Sequence, residues 1–387
     1  VFVLCGALFG PWGLGWLHLN VEHGAMHILA ELTLVFVLFG DAARIDWFAL
    51  RHELGLPVRL LGIGMPLTIA LGMLVGKVLL PELSWLEAAA LSAVLAPTDA
   101  ALGQAVVSNP DVPMRVRQAL NVESGLNDGI ALPAVLVLAT FASMQTEPGA
   151  ATALAQFASL QVILGPIVGL VVAWLGNALL SASIARRWIE PTFERLTGVA
   201  LALLAFACAE QLGGNGFIAA FVAGLTLGHL TRGRCDYLYQ FLEAEGQLLM
   251  LLVFLAFGSS FAAPALEGAS IATVVYAVLS LTLIRMLPVA LSLIGTGLRW
   301  PTILFLGWFG PRGLASILFG MLIVSELDLE HETLIFNVVM LTVLFSVVAH
   351  GVTASPLARR YAAMATDREH CPAEHESVMD HPLRMRA

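Results

Sequence analysis

Long apolar runs separated by short polar breaks dominate the chain. A spanning helix needs about 20 predominantly apolar residues. That window selects twelve segments: 1–13, 25–43, 57–80, 85–107, 117–143, 153–180, 196–212, 214–229, 244–262, 269–295, 301–325 and 333–357. The first is short and the other eleven are full. A transmembrane β-barrel would alternate polarity over strands of about 10 residues, and these runs are far longer. The pattern predicts an all-α polytopic membrane protein with about twelve transmembrane helices. No linker is long enough to set off a soluble domain. One transmembrane domain over 1–360 and a short polar cytoplasmic tail over 361–387 are expected. The chain opens on Val1 inside an apolar stretch, so a leading helix is expected to be missing.

Composition sharpens this picture. Hydrophobic residues make up 58% of the chain and charged residues 12%, where a soluble domain carries about 25% charged. A soluble enzyme and a disordered chain are excluded. So is an ordinary nucleic-acid binder, because the net charge is −9 and Lys77 is the single lysine. With a cytoplasmic N-terminus, the inside loops carry Arg44, Arg51, Arg59, Arg115, Arg117, Arg186, Arg187, Arg195, Arg232, Arg234 and Arg299. The tail adds Arg359, Arg360, Arg368, Arg384 and Arg386, so sixteen of the nineteen basic residues fall on one side. The positive-inside rule therefore supports the segment count and puts both ends in the cytoplasm. The cysteines at 5, 208, 235 and 371 form no C-x-x-C pair, so neither a disulfide framework nor a zinc ribbon is indicated. Cys371, His375 and His381 read as a solvated tail. The histidines lie mostly in loops or at helix ends, and none carries a specific signature.

A charged side chain at mid-bilayer costs about 2.5–3.5 kcal/mol on insertion scales. Asp99, Glu123, Asp128, Arg285 and Arg312 all fall inside apolar segments, and Glu31 and Asp41 sit on the second segment. In Asn121-Val-Glu-Ser-Gly-Leu-Asn-Asp128-Gly, Glu123 and Asn127 are four apart, as are Ser124 and Asp128. Helical geometry puts them on one broad polar face, which must look into a cavity or a protein core. A carboxylate poised there can hold a proton or a cation.

Two segments are interrupted midway. Pro97, in Ala96-Pro97-Thr98-Asp99, removes a helix hydrogen bond and clashes with the preceding turn. Gly310-Pro311-Arg312-Gly313 breaks a second helix that runs in the opposite sense. One interrupted helix per half, of opposite direction, is the topology of an inverted-repeat transporter. Arg312 needs a counter-charge, and Glu123 lies at similar estimated depth, so a structural Glu123–Arg312 ion pair is expected. Arg285 would balance Asp99 or the carbonyl ends of the interrupted helices.

Thr98-Asp99 in a broken helix, followed by Glu123-Ser-Gly-Leu-Asn127-Asp128-Gly, resembles the sodium/proton antiporters of the NhaP type. These belong to the monovalent cation:proton antiporter family, which includes the animal sodium/hydrogen exchangers. The glycine-rich stretch 213–224, Gly310-Pro311-Arg312-Gly313 and Ala349-His350-Gly-Val-Thr-Ala-Ser-Pro356 are similar to further family signatures. The resemblance spans about residues 25–360 in consistent order. It implies about thirteen helices in two inverted repeats, a core and a dimerisation domain, and a homodimer in the cell membrane (a bacterial inner membrane) serving pH homeostasis. By motif match Asp128 would carry the cation or proton. Ser124 and Thr98 would supply oxygens to the transported Na⁺, Asn127 and Asp99 would complete the site, and Glu123 and Arg312 would be the structural pair. The Asn-Asp pair looks like the electroneutral branch. Two places depart from the pattern. Leu38-Phe39-Gly40-Asp41 stands where the family has Leu-Phe-Glu-Gly-Gly, and the proline precedes Thr98-Asp99 rather than following it. Asp41 and Glu31 are thus candidates for support of the ion site only.

The expected function is secondary active exchange of Na⁺, Li⁺ or K⁺ for H⁺, by competition at Asp128 with alternating access. No cofactor is called for. The rivals are a cation channel, an intramembrane enzyme and a non-transporting sensor. Ser124 lacks a G-x-S-x-G setting, which argues against the enzyme.

Overall fold

A computed structural model describes residues 1–17, 23–45, 55–99, 102–143, 151–231, 236–326, 329–365 and 371–376. Arg51, Arg232, Arg234, Arg368, Arg384 and Arg386 of the basic loops and tail, with Cys235 and His381, lie outside the described residues. In chain order the helices are α1 (Phe2–Phe9), α2 (His23–Ala43), α3 (Gly55–Leu79), α4 (Trp85–Val94), α5 (Gln104–Val107) and α6 (Met114–Ser143). They continue with α7 (Ala151–Ala185), α8 (Pro191–Gln211), α9 (Gly216–Thr231), α10 (Asp236–Ser260) and α11 (Ala262–Glu267). The chain ends through α12 (Ile271–Leu281), α13 (Leu283–Ser292), α14 (Trp300–Trp308), α15 (Leu314–Glu326) and α16 (Glu332–Ala365). All regular elements among the described residues are helical, as the apolar windows predict.

Among the described residues, five stretches are long and apolar enough to cross a bilayer: α3, α6, Ser159–Ala185 of α7, Ile271–Ser292 and α16. Shorter apolar helices include α4, α9 and Leu314–Val324 of α15. α4 and α15 are short because each is one piece of an interrupted segment.

The helices form two compact units. The first comprises Val1–Trp47 and Glu147–Ser259. Within it α9 packs against α7 and α2. Gly224 of α9 lies so close to the Phe39 carbonyl of α2 that a Cβ there would collide with it. Small residues permit this approach of backbones. Asn215 Oδ1 accepts from the Ile218 amide at 3.0 Å, so this residue acts as the cap of α9. Glu31 and Asp41 belong to this unit, half-buried on α2.

The second unit comprises Phe48–Thr146 and Ser260–Ala387. α4 starts on a capping box, with Ser84 Oγ accepting from Glu87 N and the Glu87 carboxylate accepting from Ser84 N. It is buried on nearly every side and packs against α3 and α6. The described part of the tail is packed rather than solvated. Cys371 is buried, and Glu374, 0% exposed, accepts from the Arg299 amide at 2.9 Å and the Thr302 hydroxyl at 2.8 Å. Glu376 pairs with Arg115, at the start of α6, at 2.7 Å.

Candidate functional site

Two interruptions meet in the second unit. α4 stops at Val94 because Pro97 has no amide to donate and disfavours a helical residue before it. α14 stops at Trp308, ahead of Gly310-Pro311, and α15 resumes at Leu314. Main-chain atoms join the breaks directly: the Asp99 amide donates to the Pro311 carbonyl at 2.8 Å. Asp99 Oδ2 accepts from the Leu314 amide at 3.0 Å. The carboxylate thus meets the unpaired amides at the start of α15, where negative charge is favoured. Gly313 is required there, since a Cβ on it would run into the Asp99 carboxylate. Ser316 Oγ donates to the Val94 carbonyl at 2.9 Å, closing the open end of α4.

The polar face of α6 lines this crossing. Glu123, Ser124 and Asn127 are buried and Asp128 is half-buried. Asn127 Nδ2 donates to Thr98 Oγ1 at 2.6 Å and to the Thr98 carbonyl at 3.2 Å. The Ser124 and Thr98 hydroxyls lie 3.4 Å apart. Asp128 follows Ser124 by one helical turn, on the same side of α6. Three of the expected residues, Thr98, Ser124 and Asn127, are therefore brought together, beside Asp128. Their hydroxyl, amide and carboxylate oxygens are the ligand type that a hard cation prefers. Asp99 is drawn instead toward α15.

The expected Glu123–Arg312 pair is corrected by the structure. Glu123 Oε1 pairs with Arg285 Nη1 at 2.6 Å, and both side chains are almost wholly buried. Arg312, 0% exposed, instead donates from Nη1 to the carbonyls of Ala96 and Pro97, at 2.9 and 3.2 Å. The physical reason lies in the break itself. The chain end before Pro97 leaves carbonyls without amide partners, and a guanidinium reaching across from Pro311-Arg312 satisfies two of them at once. Arg285 on α13 is left to neutralise the carboxylate. The two arginines exchange the roles expected of them.

The family model described as "Sodium/hydrogen exchanger, transmembrane" matches residues 1–360. The chain belongs to the sodium/hydrogen exchanger family. Among its relatives, the K(+)/H(+) antiporter NhaP of Alkalimonas amylolytica is 28% identical over 364 residues, 93% of this chain and 61% of that protein. The K(+)/H(+) antiporter NhaP2 of Shewanella oneidensis is 26% identical over 366 residues, 93% of this chain and 62% of that one. The Na(+)/H(+) antiporter ApNhaP of Aphanothece halophytica is 26% identical over 369 residues, 88% and 66% of the two chains. This exchanger chain thus spans about three fifths of the length of the first two relatives. The fold is that of the sodium proton antiporter MjNhaP1 from Methanocaldococcus jannaschii, with a TM-score of 0.72 and 22% identity, covering 93% of this chain and 91% of that one.

Sequence reasoning missed Ser346 at the second break, and it placed His350 in a family signature without a role there. Ser346 and His350 on α16 are buried, and Ser346 Oγ accepts the Arg312 amide at 2.7 Å. Their spacing of four residues, as for Ser124 and Asp128, was the available signal.

Proposed function

We propose that this exchanger trades a monovalent cation, Na⁺, Li⁺ or K⁺, for a proton at one site centred on Asp128. The observation that carries the reading is the buried Thr98–Ser124–Asn127 cluster at a broken helix, with Asp128 one turn from Ser124. The Asp128 carboxylate binds either the cation, with Thr98 and Ser124 oxygens, or a proton. Asn127 holds Thr98 in place, and Asp99 holds the start of α15. A bare carboxylate is costly to move through low dielectric, so the site changes sides only when loaded. One cation then moves for one proton, which makes the exchange electroneutral. The chain works as a homodimer in the cell membrane, with both ends cytoplasmic and the two interrupted segments related as inverted repeats. The names of the relatives, K(+)/H(+) and Na(+)/H(+) antiporters, support the substrate class.

The test uses proteoliposomes with a trapped pH dye and an imposed pH gradient. Cation addition is expected to collapse the gradient with voltage clamped at zero, and Asp128→Asn is expected to fold normally and abolish the response. Transport retained by the variant would show the site to be misassigned. Cation current that dissipates a voltage without proton coupling would instead identify a channel.

A further inference from the structure

Behind the second interruption, α16 presents two buried polar side chains, Ser346 at 0% and His350 at 1% exposure. The Arg312 amide donates to Ser346 Oγ at 2.7 Å. His350 Nδ1 lies 3.3 Å from that same Oγ and 2.9 Å from the Ser346 carbonyl oxygen. On the other side of the ring, Nε2 lies 2.9 Å from the Trp308 carbonyl oxygen. Each ring nitrogen thus faces a carbonyl that can only accept, and the neutral ring has one hydrogen for the two. In the neutral tautomer with that hydrogen on Nε2, Nδ1 accepts from the Ser346 hydroxyl. In that tautomer the hydrogen bonds run in one direction: Arg312 N–H to Ser346 Oγ, Ser346 O–H to His350 Nδ1, His350 Nε2–H to the Trp308 carbonyl.

Trp308 is the last residue of α14, and Arg312 stands just before α15. The chain of bonds therefore ties together the two backbone ends that the interruption leaves open. Arg312 also holds the Ala96 and Pro97 carbonyls through its guanidinium, and Thr98 follows directly. We propose that Ser346 and His350 are positioning residues for the cation site: they set the span of the second interruption, and a proton on His350 Nδ1 resets it. The protonated ring donates from Nδ1 to the Ser346 carbonyl, and the Ser346 hydroxyl loses its acceptor. The shift reaches Thr98 through Arg312.

Among the described residues, the charged groups acting on His350 are Arg312 and Arg285, the latter paired with Glu123. Of the other helices packed on α16, α5, α12 and α14 carry no charged residue. Glu87 of α4 bonds His331, just before the N-terminal end of α16, roughly 25–30 Å from His350 at 1.5 Å per residue. Glu267 precedes Gly268, which lies against Asn337 near the start of α16, and Glu326 ends α15, six residues before α16 begins.

This inference rests on the exchange reading, and the experiment separates the two. Wild type, His350→Leu, His350→Gln and Ser346→Ala are reconstituted and assayed for Na⁺-driven proton flux between about pH 5 and 8, where histidine titrates. His350→Leu is expected to slow exchange by about tenfold, the scale of one lost buried hydrogen bond. His350→Gln, whose amide donates to the Trp308 carbonyl but does not titrate, is expected to restore most of the rate at alkaline pH. Its profile should lack part of the wild type's fall toward acid pH. Ser346→Ala is expected to raise the half-saturating Na⁺ concentration by roughly three- to tenfold. His350→Leu with the wild-type rate, or His350→Gln with the wild-type pH profile, would overturn the proposal. Should the histidine variants fail to fold, an unchanged half-saturation in Ser346→Ala overturns it. A wild type inactive with Na⁺, Li⁺ and K⁺ alike would overturn the exchange reading, and this one with it.

Discussion

Glu123→Gln removes the counter-charge of Arg285, a side chain only 2% exposed. At the observed 2.6 Å and an effective dielectric of about 20, the attraction is roughly 6 kcal/mol. Desolvation offsets much of that, and removing one partner of such a pair typically costs about 3–5 kcal/mol. For a unit of about 150–250 residues each kcal/mol moves Tm by about 2–4 °C, so Tm should fall by about 6–20 °C. Among the described residues, Glu123 Oε2 and Arg285 Nε and Nη2 have no hydrogen-bond partner, so the pair is incompletely compensated. Removing both charges is therefore gentler than removing one. The double variant Glu123→Gln/Arg285→Met should recover most of the loss, with a coupling of about 2–4 kcal/mol. Glu123→Gln/Arg312→Met should show a smaller coupling than this, since Arg312 spends its hydrogen bonds on Ala96 and Pro97. The assay is thermal unfolding in detergent at one fixed scan rate, because membrane proteins of this size unfold irreversibly. Strong coupling to Arg312 with none to Arg285 would refute the assignment and restore the pairing expected from helix depth.

Three further outcomes follow from the same geometry. Gly313→Ala puts a Cβ where the Asp99 carboxylate sits; it should destabilise by about 2 kcal/mol or more through loss of the charge at the start of α15, and a normal melting temperature would show that Asp99 has room to move. Arg312→Lys keeps the charge but replaces a planar fork with a compact ammonium; exchange should fall by about tenfold, the effect of one buried hydrogen bond, and wild-type flux in proteoliposomes would count against the role at Ala96 and Pro97. Glu374→Ala strips the acceptor from the Arg299 amide and the Thr302 hydroxyl; a loss of about 1–3 kcal/mol is expected in thermal unfolding, and an unchanged Tm would show the tail to contribute nothing.

The membrane class, the two interruptions and the polar face of α6 were legible because each is a violation of a strong local pattern. Asp128, Ser124 and Asn127 stand out against apolar neighbours, and Pro97 and Pro311 stop helices by missing amides and ring sterics. Which arginine meets Glu123 was not legible. Arg285 and Arg312 are both deep within their segments, and depth does not fix azimuth. The deciding quantity is the set of open carbonyls at Ala96 and Pro97, which exists only once the breaks cross. Ser346 escaped notice because one hydroxyl in Val-Leu-Phe-Ser-Val-Val reads as a side chain bonding its own helix. The packed tail escaped notice for a related reason: Glu374 and Cys371 lie in a polar run, and composition cannot show that Arg299 and Thr302 wait for them.

The contacts that bind the two interruptions use main-chain atoms on at least one side: Asp99 N to Pro311 O, Leu314 N to the Asp99 carboxylate, and Ala96 and Pro97 carbonyls to Arg312. Backbone groups are the same whatever the side chain. Such a junction tolerates drift in the residues around it, including migration of the proline from one side of Thr98-Asp99 to the other. A lineage can therefore rewrite most of the letters at this crossroads while inheriting its wiring. Kinship among such carriers is better traced through the few positions where a side chain is the wire, Asp99 and Arg312, than through the loops' overall spelling.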